Sequence, residues 1–255
     1  MMRIDCDSLA DSSVNGNHAA LNGTMRAIEG KIGNGLNLMS NAFIQLPATI
    51  ANTREMSFAM WVNLRSNSNW QRLFDFGNDT EHYVFLTTKS SYSNKMRLAI
   101  KNGGSEQTLD APSELPSSKW THVAVTFNND AVTIYLNGAQ AATTSDITIR
   151  PADIRPIFNY IGRSQFTSDP MLRAYLDDIR IFNYALTADE VAAIAAMTDG
   201  INKIPSDRDG GEMAGASEST LGGLQGPFDL SGRKVNGEQL RRGIYIINGK
   251  KVRVQ

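Results

Sequence analysis

The sequence is poor in the residues that most often announce chemistry. It has one cysteine, Cys6, among 255 residues, so no intrachain disulfide can form and the fold must rest on its core. A single thiol does not fix the compartment, because exported bacterial β-proteins also manage without disulfides. The three histidines, His18, His82 and His122, stand far apart, with no His-x-x-x-His or Cys/His spacing that would hold zinc. No Gly-x-Ser-x-Gly elbow occurs. "GNGL" (33–36) is too short for a phosphate loop, and "IKNGGSEQ" (100–107) reads as a strand end and turn. No apolar run approaches the ~20 residues of a membrane span, so no membrane insertion is expected. Neither charge sign is in excess, with 25 Lys and Arg against 26 Asp and Glu. That balance argues against a nucleic-acid or anionic-membrane partner. No basic-then-apolar leader precedes "MMRIDCDSLA". If the protein is exported, its leader is expected to lie outside this chain.

What the sequence does have is strand signal, and its 41% hydrophobic residues are enough for a core. "SFAMWVNL" (57–64) sets Phe58, Met60, Val62 and Leu64 against Ser57, Ala59, Trp61 and Asn63. "HYVFLTT" (82–88), "MRLAIK" (96–101), "THVAVTF" (121–127) and "VTIYLNG" (132–138) repeat this period of two. His122 falls on the non-core side of its strand and reads as a hydrogen-bonded surface or cleft residue. Asn137-Gly138 predicts a tight hairpin turn, since both residues tolerate positive φ. Only one helix is expected, near 188–197. Many short strands, polar turns and one late helix predict an all-β, two-sheet antiparallel sandwich.

The chain changes character after Met197. Residues 199–226 are rich in Gly and Ser, lack periodicity and read as a flexible linker. Residues 227–255 close on "IYII-NG-KKVRV", a β-hairpin centred on Asn248-Gly249. A lone hairpin is marginal in water, so it must pack on something or be read by a partner. The expected organisation is a domain over 1–198, a linker over 199–226 and a hairpin segment over 227–255.

The stretch "LDDIRIFNYALTADEV" (176–191) holds adjacent carboxylates, Asp177 and Asp178, on an expected strand. Alternation sends successive strand side chains to opposite faces, so the pair cannot flank one glycosidic bond, which needs carboxyls ~5–9.5 Å apart. Thr187 and Glu190 have the spacing of a capping box, and Asp189 suits the positive end of a helix. The N-terminal "DSSVNGN" places oxygen-bearing side chains at Asp11, Ser13, Asn15 and Asn17, with Gly16 for the turn. That opening is similar to the first half of a calcium loop, though Asn22 stands where an EF-hand has Glu. The alternative is an Asx-turn, in which Asp11 and Asn15 bond nearby amides.

Several segments taken in order carry a resemblance. They are "DSSVNGNHAALNG", "WVNL", "RLFDFGN", "WTHVAVTF", "IYLNG", "YIGRSQ" and "LDDIRIFNYALTADEV", over roughly residues 4–197. Together they resemble the laminin-G-like branch of the concanavalin A-like lectin/glucanase superfamily, notably modules attached to bacterial enzymes that trim plant polysaccharides. The resemblance implies a jelly roll with a curved concave face. It also implies a place for calcium where the first and last strands meet, with Asp177 joining Asp11, Asn15 and Asn17 as a structural metal set. Catalytic members tend to carry a Glu-x-Asp-x-x-Glu strand, and none occurs here. The tail, "FDLSGRKV" and then "RGIYIINGKKVRV", resembles the C-terminal sorting-type segments of exported Bacteroidota proteins. It implies export to the periplasm, cell surface or medium, or else an inert relic of such a tail.

Sugars offer an apolar face and hydroxyl edges, so their sites combine flat rings with polar groups. Trp70, Tyr83 and Tyr92, with Arg72, Arg97, Arg163 and Gln165, are the candidates, and Trp70, Arg72, Tyr83, Arg163 and Gln165 form the expected site. Trp70 sits beside the polar loop "RSNSNWQR" and could be an exposed rim or a cover for the sandwich edge. Trp61 and Trp120 belong to strand motifs and read as packing. Arg163 could serve a ligand or neutralise a buried acid such as Asp75. The sequence therefore predicts a non-catalytic carbohydrate-binding module of an exported polysaccharide-utilisation protein, whose partner is a glycan and whose neighbour could be a glycoside hydrolase. The rivals are a glycoside hydrolase or lyase with the same fold, and a protein-binding adhesion domain. Fold alone does not choose among them.

Overall fold

The computed structural model of the protein describes residues 2–4, 6, 9–13, 15–38, 41–197, 227–229, 243–247 and 250–254. The expected linker, 199–226, and the Asn248-Gly249 turn lie outside the described residues. The chain divides into two compact units, Met1–Gly200 and Ile201–Gln255.

The strands of the first unit are β1 (Met2–Ile4), β2 (Ala20–Asn22), β3 (Met25–Glu29), β4 (Asn34–Leu38), β5 (Phe43–Leu46), β6 (Met56–Leu64), β7 (Arg72–Gly77), β8 (His82–Thr87), β9 (Arg97–Asn102), β10 (Gln107–Asp110), β11 (Thr121–Phe127), β12 (Val132–Leu136), β13 (Ala139–Thr144), β14 (Phe158–Ile161) and β15 (Ala174–Phe182). They form two antiparallel sheets. The eight-stranded sheet runs β13-β12-β11-β6-β15-β4-β3, with β1 added on β15. The seven-stranded sheet runs β10-β9-β8-β7-β14-β5-β2. This is the two-sheet sandwich that the alternating strands predict, in the jelly-roll form that the resemblance implies.

The core lies between the sheets and follows the period of two. Phe58, Met60, Val62 and Leu64 of β6, with Val123, Val125 and Phe127 of β11, meet Phe74, Phe76, Val84, Leu86, Leu98 and Ile100 of the opposite sheet. The Phe58 and Phe74 ring centres are 4.6 Å apart. Each such side chain removed from water contributes roughly 1.5–3 kcal/mol. The single cysteine, Cys6, is buried in this core. The β12–β13 hairpin turns at Asn137 and Gly138, with φ of 51° and 82°, as the dipeptide predicts.

A single helical turn, α1 (Pro151–Ile154), was not expected; Pro at its first position and the Asp153 side chain bonding back to the Arg150 amide start it. The expected late helix is α2 (Ala188–Ala195). Thr187 Oγ1 accepts from the Glu190 amide, and Glu190 Oε2 accepts from the Thr187 amide, so the capping box is complete. Val191 and Ile194 press α2 onto Ala59, Ala124, Tyr135 and Phe182, on the outward side of the eight-stranded sheet. Among the described residues no helix is long and apolar enough to cross a membrane.

The second unit contains β16 (Pro227–Asp229), β17 (Gly243–Ile247) and β18 (Lys250–Val254), which form a three-stranded antiparallel sheet. The expected hairpin pairing is present as β17–β18, and β16 adds a strand that its sequence did not announce.

Candidate functional site

The outward face of the seven-stranded sheet carries a second aromatic cluster, separate from the core. The strand β8 alternates Val84 and Leu86 inward with Tyr83 and Phe85 outward. The strand β7 carries a bulge, so that Arg72 pairs with Thr87, Phe74 with Leu86 and Asp75 with Phe85. The extra residue, Leu73, turns inward with Phe74, while Arg72 and Asp75 face outward beside the β8 rings. Trp70 and Phe166 close over Tyr83, Phe85 and Ala99. The result is a pocket of about 290 Å³ lined by Trp70, Arg72, Tyr83, Phe85, Tyr92, Glu106, Phe166 and Asp169.

Arg72 organises its floor. The guanidinium carbon lies 3.8 Å from the Phe85 ring centre, and the side chain is only 2% exposed. Its Nε donates to Asp75 Oδ2 at 3.2 Å, Nη1 to the Trp70 carbonyl at 2.8 Å and Nη2 to Asp169 Oδ2 at 2.7 Å. Burial pushes the Asp75 carboxyl up to about 6, against the pull of Arg72 and the Gln165 amide. The Tyr83 hydroxyl donates to the Glu106 carboxylate. Burial, and then that acceptor, push the Tyr83 phenol above its ordinary range.

Trp70 forms the rim. Its φ of +68° is left-handed, a costly conformation for a bulky side chain. The amide donates to the Lys89 carbonyl at 2.8 Å, and the indole N–H donates to Ser91 Oγ at 3.1 Å. Tyr92, 80% exposed, stands edge-on to the Trp70 ring at 5.2 Å.

Trp70, Arg72, Tyr83 and Tyr92, all read as candidates from the sequence, therefore meet in one pocket. Arg163 and Gln165 do not line it. The Arg163 guanidinium lies over the Phe43 and Tyr160 rings at 4.7 and 5.0 Å, and Arg72, not Arg163, pairs with Asp75. Gln165 donates to the Phe158 carbonyl at 2.8 Å. Arg97 is held by Asp110 at 2.7 and 3.0 Å. Sequence reading missed Phe85, Glu106, Phe166 and Asp169. Phe85 was legible, since it shares the non-core side of its strand with Tyr83. Glu106 and Asp169 come from loops that no periodicity marks.

The adjacent acids of β15 correct a simple expectation. Asp177 lies opposite Trp61 and Arg180 opposite Ala59, so Asp178 and Ile179 together face Met60 in a bulge. Asp178 takes φ +45° there. The bulge breaks the alternation, and both carboxylates end on the outward side. Asp178 is buried, in ion pairs of 2.8 Å to Arg180 and 2.9 Å to Arg3. Burial opposes its ionisation, but the Arg180 and Arg3 guanidiniums outweigh this and hold it below the usual range. Asp177 is also buried, and its oxygens accept from the Ile32 amide at 2.7 Å and the Asp178 amide at 2.6 Å. Both acids are thus engaged by neighbouring groups of the fold, and the pleat argument against a catalytic pair does not hold. His122 departs from expectation too. It lies on the non-core side but is 1% exposed, edge-on to Trp61 at 5.3 Å, with neither ring nitrogen hydrogen-bonded.

Of the residues expected to hold calcium, Asp11 and Asp177 accept hydrogen bonds from backbone amides. Asp11 Oδ1 accepts from the Arg3 amide at 2.9 Å and the Ser13 amide at 2.8 Å, and Oδ2 accepts from the Asn17 amide at 2.8 Å. Asn15 Nδ2 donates to Ser13 Oγ at 3.2 Å. Asp177 serves another loop, the β3–β4 turn. An N–H aimed at a carboxylate oxygen takes up one of its lone pairs, and the amides bonded to Asp11 fit the Asx-turn alternative. Among the described residues no group of three or more His, Cys, Asp or Glu side chains is placed to hold one.

Comparisons with known proteins agree with this architecture. The model of a laminin G-like family, described as the concanavalin A-like lectin/glucanases superfamily, matches residues 38–192. Domain 4 of AbnA, a GH43 extracellular arabinanase from Geobacillus stearothermophilus solved with arabinotriose, is 22% identical with a TM-score of 0.67, over 76% of this chain and 97% of that one. The binding domain of Paraclostridial Mosquitocidal Protein 1 is 17% identical with a TM-score of 0.57, over 76% and 50%. Botulinum neurotoxin type C, whose cell entry depends on interaction with two ganglioside molecules, is 15% identical with a TM-score of 0.57, over 76% and 50%. The chain spans about half the length of these two toxin chains. At such identities the likeness is one of fold. No curated protein matches the sequence.

Proposed function

The chain belongs to the concanavalin A-like lectin/glucanase superfamily, and from that premise we propose that its first unit is a non-catalytic carbohydrate-binding module. The observation that carries this is the pocket that sets the rings of Trp70, Tyr83, Tyr92 and Phe166 beside the carboxylates of Glu106 and Asp169. Rings offer flat apolar surface to the C–H face of a sugar, and carboxylates accept strong hydrogen bonds from its hydroxyls. The fold-level likeness to a domain of an extracellular arabinanase supports a plant polysaccharide as the ligand and a hydrolase as the neighbouring partner. Export is proposed on the C-terminal resemblance.

Binding without catalysis is favoured by how the pocket's acids are used. Asp169 is held by Arg72 and by Ser164 Oγ at 2.9 Å, and Glu106 by the Tyr83 hydroxyl. Glycoside hydrolysis needs two carboxyl groups free to act across one bond. The N-terminal loop is read as an Asx-turn, with Asp11 as its acceptor.

The test is calorimetry of the full chain against plant oligosaccharides, repeated on Trp70→Ala. Binding by the parent and its loss in the variant is the expected result. Reducing sugar released by the purified chain would establish the enzymatic reading instead. A blank glycan panel, with one protein partner retained in pull-downs, would establish adhesion.

A further inference from the structure

The charge of the pocket points to the class of glycan it takes. Resting on the carbohydrate-binding reading, we infer that the pocket selects uncharged sugars and rejects glycans bearing carboxylate or sulfate groups. Its described lining holds one cation, Arg72, against two carboxylates, Glu106 and Asp169. A third carboxylate, Asp75, lies against Arg72 from beneath.

Arg72 is also committed. Asp75, Asp169 and the Trp70 carbonyl take hydrogens from all three of its nitrogens, and one face of its guanidinium lies on Phe85. A ligand carboxylate approaching Nη2 would meet the Asp169 carboxylate already there at 2.7 Å. Basic residues on neighbouring strands and the loop after β8 are likewise paired: Arg97 with Asp110, Lys101 with Glu81 at 2.8 Å and Lys89 with Glu114 at 2.9 Å. An anionic sugar would therefore bring acceptors toward acceptors. A neutral sugar brings hydroxyl donors, which the remaining lone pairs of the two carboxylates can accept.

The experiment uses the full chain and whichever glycans of a mixed panel bind it. Each neutral binder is compared with its own derivative in which primary hydroxyls have been oxidised to carboxylates, and sialylated glycans form a third arm. Oxidation is expected to weaken binding by about tenfold or more, the scale of one unscreened like-charge contact. That ratio should narrow in Glu106→Gln, which removes the charge and keeps the shape. It should also narrow for the parent as ionic strength rises, so the argument survives if the variant folds poorly. Oxidised or sialylated glycans binding as tightly as neutral ones would overturn the inference and leave the carbohydrate reading standing. A ratio indifferent to both salt and Glu106→Gln would overturn its electrostatic basis. No binding by any glycan, neutral or acidic, would overturn the carbohydrate reading itself.

Discussion

The Ile32 amide donates to Asp177 Oδ2 at 2.7 Å across 145 residues of sequence. This bond ties the turn between β3 and β4 to the closing strand β15. Gly30 shares the arrangement, because a Cβ there would come within 2.5 Å of the same oxygen. The acid that looked like chemistry in the sequence thus organises a turn.

Asp177→Ala should destabilise the first unit by about 2–4 kcal/mol, since it leaves two amides without their charged acceptor. Equilibrium denaturation measures this. Asp177→Asn separates charge from hydrogen bonding. Burial pushes the Asp177 carboxyl up to about 6 in the folded state, above its ordinary value of 3.8. The folded state therefore binds more protons between these values. Its contribution to stability is fully present below about pH 3.8 and is lost as pH rises through about 6. From pH 4 to 7 the parent should lose on the order of 2 kcal/mol relative to the Asn variant. Asp75 titrates in both proteins and cancels in the difference. Parallel pH profiles would show that Asp177 does not titrate in this range.

His122 has the opposite sign. Burial lowers its pKa to about 4, helped by the Arg180 guanidinium and opposed by Asp178. Between about 4 and the ordinary value of 6.5, the unfolded chain binds the proton and the folded one does not, so stability is lost as pH falls through that window. His122→Phe keeps a ring against Trp61 and removes the titration. It should match or exceed the parent's stability at pH 7 and exceed it by on the order of 3 kcal/mol at pH 4. A variant less stable than the parent at both values would mean that the imidazole has an essential polar partner.

How far the sequence carried the fold can be argued from these same residues. The strands, the Asn137-Gly138 turn and the Thr187–Glu190 cap were legible because each rests on local rules. The bulges in β7 and β15 were not, because an extra residue in one strand is defined only by its partner. One bulge sends Arg72 and Asp75 outward together, and the other does the same for Asp177 and Arg180. Trp70, Arg72 and Tyr83 could be named from residue chemistry, but Glu106 and Asp169 reach the pocket by loops. Arg163 and Gln165 were misplaced because an aromatic-rich strand neighbourhood does not reveal which side of loop 162–171 a side chain takes.

Under the proposed carbohydrate-binding function, Trp70 couples strain to binding. A left-handed conformation costs a non-glycine residue about 1–3 kcal/mol, and here it places the indole at the pocket rim. Trp70→Gly relieves that cost and loses the ring's contact with Tyr92. The expected outcome is a melting temperature equal to or above the parent's, with glycan affinity reduced by about tenfold or more, as for loss of one aromatic contact. Thermal scanning beside calorimetry checks both halves. A variant that binds like the parent would remove Trp70 from the site.

The last prediction concerns calcium. Three backbone amides converge on the two oxygens of Asp11, and their hydrogen bonds hold its carboxyl below the ordinary range although burial opposes this. The loop is thus stabilised by an anion that its own backbone has already neutralised in part, and Asp177 is turned to the Ile32 amide. Chelation should leave the melting temperature unchanged, whereas Asp11→Ala should lower it by several degrees, as expected for about 1–3 kcal/mol lost with a buried acceptor. A chelator-induced drop that added calcium reverses and that Asp11→Ala abolishes would overturn the Asx-turn reading. It would require the loop to release at least one of those amides when the cation binds.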